Sequence, residues 1–247
     1  MPAIPFALQL YSVRDHMNTD PVATLKAVKA AGYDHVEVVG RAGYPPRAFR
    51  QLLNDCGLTP VSAHVGLKDI EKDLRAICDS AHTLEIPYLV FSGDAPDRQG
   101  WLELAWQADE IGSLLRKEGL QLCYHNHAHE FARIDGEYPY DLLMANASPE
   151  NLQAEIDVFW VRFAGLDPVE QIHKYGHRCP LLHIKDMTPE PPYTFTEVGR
   201  GIIDMPAVFR AGKEIGAQWY IVEQDESMRD SLESVRISAD YMRQQTI

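Results

Sequence analysis

The sequence predicts a single-domain α/β protein, a (β/α)8 barrel spanning residues 1–247, on three observations. Apolar runs of strand character alternate with amphipathic helical stretches eight times, with no shift in composition between repeats; such alternation implies a parallel sheet. The length of 247 residues fits one closed barrel of this kind. Several of the runs end in polar residues spaced by two, which places their side chains on one face at the strand's C-terminal end. Barrels of this type carry their chemistry there. A nucleotide-binding open sheet is disfavoured, because no Gly-x-Gly-x-x-Gly follows an early strand and no Gly-x-x-x-x-Gly-Lys-Ser/Thr occurs.

Residues 4–10 read as the first strand and 11–15 as a polar loop. Thr19 or Asp20 caps a helix with Pro21 at its first position and Gly32 as its stop. A second strand, 35–39, is followed by a helix opened by Pro45-Pro46 and ending near Gly57, then a third strand, 59–64, ending in His64. The spacing of Ile70, Leu74, Ile77, Cys78 and Ala81 predicts one helix over about 69–84. Strand four is 87–91, closed by Ser92-Gly93-Asp94, and a helix over about 100–118 leads to strand five, the opening of the 119–131 stretch. A short helix over 140–146, strand six at 152–157, a helix from Pro168 to about 176 and strand seven at 181–184 follow. A loop over 187–203 contains Pro189, Pro191, Pro192 and the turn Gly199-Arg200-Gly201. Asp204 caps a helix to Gly216, strand eight is 219–223, and a last helix runs from about 227 to the end.

The 119–131 stretch organises the rest. Its strand ends in three histidines at alternate positions, His125, His127 and His129. Polar clusters on one strand face are costly to bury without something to bind. Glu155 and Asp157, His183 and Lys185, and Glu223 and Asp225 repeat the pattern on later strands, and Glu37 and His64 end earlier ones. Imidazoles and carboxylates are the usual ligands of a divalent ion. Taken singly, Glu37 reads as a surface carboxylate, Lys185-Asp186 as a rim ion pair and Asp225 as a cap of the last helix.

Composition narrows the class. Hydrophobic residues make up 45% and charged residues 24%, an ordinary soluble balance, and the formal net charge is −13. That charge, with no Lys/Arg run, argues against a nucleic-acid partner. Four cysteines scattered without a Cys-x-x-Cys pair, and a start lacking a basic and then apolar leader, point to reduced thiols and a cytoplasmic location. No stretch of 18 apolar residues predicts a membrane span.

Tyr124-His-Asn-His127, Glu155-Ile-Asp157-Val-Phe-Trp160, His183-Ile-Lys-Asp186, Val198-Gly-Arg-Gly201 with Asp204, and Val222-Glu-Gln-Asp225 occur in that order. In this set the chain resembles the xylose isomerase-like barrels of sugar isomerases and epimerases, in the branch that includes inosose dehydratase and related ketosugar lyases. The resemblance implies one divalent ion (Mn, Zn, Co or Mg) held at the ends of strands five to eight, with Asp157, His183 and Glu223 matching three ligands. His125 stands where the epimerases have Glu, so either its imidazole is the fourth ligand or the ion moves toward Glu130 or Glu155. Losing one of two opposed carboxylates weakens symmetric epimerisation and favours elimination or one-base isomerisation.

The expected activity is therefore a metal-dependent sugar isomerase or epimerase acting on a ketosugar or polyol-derived ketone through an enediolate. The alternative is a dehydratase of the inosose type. The ion would act as a Lewis acid on a carbonyl and its neighbouring hydroxyl. Glu223, His127 and Glu155 are the candidate bases, and Lys185 would stabilise the enediolate oxygen or protonate a leaving hydroxyl. Glu37, His64, Trp160 and Arg200 are candidate substrate-binding residues, Arg200 for sugar oxygens or a phosphate, with Tyr11 and Phe91 as further aromatic surfaces. The expected partner is a small sugar or sugar phosphate, with no nucleic acid and no membrane; a homo-oligomer, dimeric by default, is compatible. Two other classes share this scaffold: a zinc-cluster endonuclease for abasic DNA, which needs a positive groove, and a non-catalytic sugar-binding barrel without a bound ion.

Overall fold

A computed structural model describes residues 4–245. Eight parallel strands close into a barrel: β1 (Phe6–Gln9), β2 (His35–Val39), β3 (Thr59–His64), β4 (Tyr88–Phe91), β5 (Gln121–His125), β6 (Leu152–Asp157), β7 (Leu181–Ile184) and β8 (Trp219–Val222). β1 pairs with both β2 and β8, which removes the open edges. Helices on the outside connect the strands.

The period of two sorts each strand's side chains between two cores. Facing the barrel axis, Ala7, Val61, Val90, Cys123, Leu181 and Ile221 form a compact apolar layer, with Tyr88 and Trp219 packed against it. Facing outward, Leu8, Val36, Leu122, Ile156, Leu182 and Tyr220 belong to the larger core shared with the helices. Two residues beyond the inner layer stand Gln9, His125, His183 and Glu223, so the same alternation that fills the barrel lifts polar groups into its upper part. Register then makes neighbours of them: Gln9 pairs with Glu37, His125 with Glu155, and Asp157 with His183.

The strand assignments agree with the sequence within two residues at each end. The differences lie in the connections. The helix expected over 69–84 is two, Leu67–Lys72 and Leu74–Leu84. Asp73 ends the first and, at φ −150°, caps the second by accepting from Ala76 N at 3.0 Å. The 11–15 segment is not loop; a 3-10 turn, Leu10–Val13, runs into a short helix, Arg14–Met17, because Leu10 and Val13 are buried and Gln9 caps the turn through Tyr11 N. A helix with no periodic signal, Val158–Phe163, follows β6 directly. The 187–203 loop carries an antiparallel ladder, Asp186–Met187 with Phe195–Thr196. The last helix starts later than expected, at Ser231, because Asp230 caps it, and the 227 start was therefore too early. Residues 1–3 and 246–247, which include the chain start and the expected end of that helix, lie outside the described residues.

Candidate active site at the barrel mouth

Two layers of ionisable groups sit above the apolar floor. In the lower one, Glu37 and Glu155 are wholly enclosed. Glu37 accepts from Gln9 Nε2 at 2.6 Å, from the Ser62 hydroxyl, and lies 2.8 Å from His183 Nε2 and 2.9 Å from His64 Nε2. Glu155 Oε2 gathers three imidazoles, His64 and His125 at 3.1 Å and His183 at 3.2 Å. In the upper layer Lys185 Nζ lies 2.5 Å from Glu223 Oε2, 2.9 Å from Asp225 Oδ1 and 3.0 Å from Asp157 Oδ2. His183 joins the layers, its Nδ1 3.0 Å from Glu223.

Local backbone fixes the upper layer. Asn126 is fully buried and ties the ends of β5 and β6 together, accepting from Asp157 N at 3.0 Å. Asp157 Oδ1 caps helix Val158–Phe163 by accepting from Trp160 N at 2.9 Å. Its Oδ2 is left buried without a hydrogen bond of good geometry, although the Lys185 ammonium is close.

Burial and charge act against each other on each group. Burial would raise Glu37, but His64 and His183 hold it well below its usual range. Burial, then Glu37, pushes Glu155 up to about 7. Burial opposes charge on His64, yet Glu37 and Glu155 raise it to about 10, and Glu155 and Glu37 overcome the same burial to raise His183. Burial and the neighbouring cations lower His125, and burial lowers His127 to about 4. Lys185 stays charged against burial because Asp157, Glu223 and Asp225 surround it. It in turn holds Glu223 low, while burial and Glu223 push Asp225 up to about 6.

His125, Asp157, His183 and Glu223 bring one donor atom each within 4.8 Å of one another, as do His64, His125, Glu155 and His183. In the second set Glu155 Oε2 already receives three imidazoles, while its Oε1, like Asp157 Oδ2, is buried without a hydrogen bond. In the first set Asp157 Oδ2 lies 3.0 Å from Lys185 Nζ, 3.8 Å from His125 Nε2 and 3.9 Å from His183 Nδ1. Each of the two histidines turns its other nitrogen to a buried carboxylate, Glu155 for His125 and Glu37 for His183. That arrangement is how proteins orient metal-binding imidazoles. Five carboxylates, Glu37, Glu155, Asp157, Glu223 and Asp225, gather here with three imidazoles around one lysine, a donor set that suits a divalent cation. The residues present fit the ion.

A profile of the xylose isomerase-like TIM barrel matches residues 25–245. The chain belongs to that family. Among curated relatives, the inosose dehydratase of Clostridium botulinum (strain Alaska E43 / Type E3) is 24% identical over 213 residues, which cover 72% of this chain and 71% of that one. A sugar phosphate isomerase/epimerase from Parabacteroides distasonis ATCC 8503 superposes with a TM-score of 0.87 at 24% identity, covering 98% of this chain and 94% of the other. The IOLI protein, solved with a binding zinc atom, gives 0.77 at 15% identity over 97% and 96%. At these identities the two structures establish a common fold. The relatives are sugar-processing enzymes, and no helix among the described residues is long and apolar enough to cross a membrane.

This xylose isomerase-like barrel brings most of the sequence candidates together around a mouth cavity of about 300 Å³, lined in part by His64, His125, His127, Lys185, Glu223 and Asp225. Trp160 flanks the upper layer, 5.6 Å from the His127 ring and 5.9 Å from Lys185 Nζ, with Phe195 of the loop ladder beside it. Tyr11 also lines the cavity. Several expectations need correction. Arg200 lies on the turn after β7 in a separate surface hollow with Arg229 and Arg236, because Asp186 pins Gly199 N and Gly201 N at 2.9 Å. Glu37 and Glu155 do not reach the cavity, being closed off by the imidazoles they hold. Phe91 is core, edge-on to Tyr124 at 5.1 Å. Asp225 caps no helix; it pairs with Lys185. Nor do the three histidines share one face: β5 stops at His125, and His129 is exposed, bonding Gly93 O.

Sequence reasoning missed Gln9, Ser62 and Asn126. Gln9 was findable, since it ends β1 two residues beyond Ala7 as His125 ends β5 beyond Cys123. Ser62 and Asn126 carry no such signal.

Proposed function

We propose that this barrel enolises a ketosugar or polyol-derived ketone, with His125, Asp157, His183 and Glu223 holding one divalent ion. The observation that carries the reading is the convergence of four donors, with Asp157 Oδ2 3.8 and 3.9 Å from the carboxylate-backed imidazoles of His125 and His183 and Glu223 beside them. When bound, the ion supplies Lewis-acid polarisation of a substrate carbonyl. Glu37 and Glu155 then act as positioning residues that set the imidazole tautomers.

His127 lines the cavity, neutral, and no described residue hydrogen-bonds its ring nitrogens; it is the group free to accept the proton next to the carbonyl. Negative charge developing on the substrate raises its basicity at that moment. Lys185 keeps its proton and stabilises the developing oxyanion, while Asp225 beside it faces the cavity and can pass a proton to a departing hydroxyl. One unpaired base and a Lys–Asp pair lining the same cavity favour dehydration of an inosose-like ketone. Isomerisation or epimerisation, the reaction named for the Parabacteroides neighbour, is the second reading and needs the same first proton transfer. His64 and Trp160 complete the substrate surface, and the loops leave room for a free or phosphorylated sugar.

The test is metal analysis of purified protein beside Asp157→Ala, followed by ketoinositol and ketosugar assays in D2O. About one divalent ion per chain, absent from the variant, with deuterium entering or water leaving the substrate, supports the proposal. A folded Asp157→Ala protein that keeps both ion and turnover refutes it.

A further inference from the structure

A second cavity, of about 330 Å³, lies between the ends of β2–β4 and helix Leu74–Leu84. Its walls are apolar: Val38, Ala63, Ala81, Leu84, Ile86 and Leu89 are each at most 6% exposed. That size is at the lower end for small-molecule sites. His64 contributes to both this cavity and the mouth cavity, so the ends of β2 and β3 form a party wall between them.

Arg41 stands at the opening. Its Nε donates to Tyr44 O at 3.2 Å and its Nη1 to Ser80 Oγ at 3.3 Å, both neutral acceptors. Among the described residues no carboxylate comes within 4.0 Å of it; Asp69 shares the rim but does not pair with it. A guanidinium has five N–H donors, so most remain unused in a chain whose formal net charge is −13. Beside it the backbone is strained at Ala42, whose φ is +47°, while Gly40 and Gly43 on either side take positive φ freely. Alanine is disfavoured in that region, and such strain is kept where the surroundings impose it.

We propose that this cavity binds a small organic monoanion with an apolar body, a medium-chain or aromatic carboxylate. The apolar part fills the space against Ala81 and Leu89, and the carboxylate forms a bidentate pair with Arg41. The proposal needs neither the metal nor the reaction proposed for the barrel mouth, although the two cavities share His64.

Titration calorimetry with sodium octanoate and, in parallel, 1-octanol tests this on the full chain. One octanoate binds per chain, Arg41→Gln weakens it about tenfold and leaves octanol unchanged, and Ala81→Phe removes both ligands. Methyl resonances of Leu84 and Leu89 shift on octanoate addition, which keeps the test decisive if Ala81→Phe does not fold. Octanoate binding equally to the wild type and Arg41→Gln, no binding of either probe at millimolar concentration, or unmoved Leu84 and Leu89 methyls each overturn the proposal.

Discussion

Asp157 divides its carboxylate between two tasks: one oxygen caps a helix and the other is left facing the site. Sequence spacing found Asp157, His183 and Glu223, because a two-residue period is visible in the letters. It could not show that Glu37 and Glu155 are sealed, since that depends on three imidazoles closing over them from other strands. Glu37→Gln keeps the shape but turns an acceptor of His183 Nε2 into an amide. We expect metal affinity to fall roughly 10–100-fold with little change in fold, read by competition with a chelating dye. At the other end of β2, burial lowers the pKa of His35, which packs on Trp219 at 4.7 Å. A histidine lowered by folding is protonated first in the unfolded chain, so its contribution is intact above 6.5 and is lost as pH falls below it. Urea titrations should show wild type losing more stability than His35→Gln between pH 7 and 5; equal losses would remove the argument.

At the scale of elements, the connections are governed by single polar side chains that periodicity does not register. Asp73 breaks one predicted helix into two, and Asp157 starts a helix that an apolar run, Val158–Phe163, gave no reason to expect. Asp186 anchors the loop after β7 by accepting from Met187 N, Gly199 N, Gly201 N and Ile203 N. Gly201 permits the approach, since a Cβ there would stand 2.2 Å from Asp186 Oδ1. Asp186→Ala leaves those donors unmet at a cost of about 1–3 kcal/mol, and hydrogen exchange at 199–203 should accelerate more than elsewhere. Helix Arg98–Lys117 approaches the turn before β6 at Gly112, where a Cβ would meet Asn151 O at 2.0 Å. Since backbone cannot step aside, Gly112→Ala should cost about 1–3 kcal/mol in chemical denaturation, despite alanine's better helix propensity.

For the whole molecule, the barrel was legible because eight repeats and a length of 247 residues admit few closures. The mutual geometry of the site was less so, because strand register decides which ends are neighbours. An excess of carboxylates at the mouth implies that the ion and the fold support each other. If the ion is at about a thousand times its dissociation constant, chelation removes about 4 kcal/mol of stability, a fall of roughly 8–16 °C in melting temperature for a chain of this size. A melting point indifferent to chelator would show that the polar layers are self-sufficient. The apolar floor of Ala7, Val61, Val90, Cys123, Leu181 and Ile221 has a further consequence. It closes the inner carboxylates and imidazoles off from below, so they meet the mouth cavity through His64 and His125. In the isomerisation reading, a hydrogen lifted while substrate fills the mouth exchanges slowly with bulk water, so the product gains less than one deuterium per turnover in D2O. In the dehydration reading it is not returned to the product.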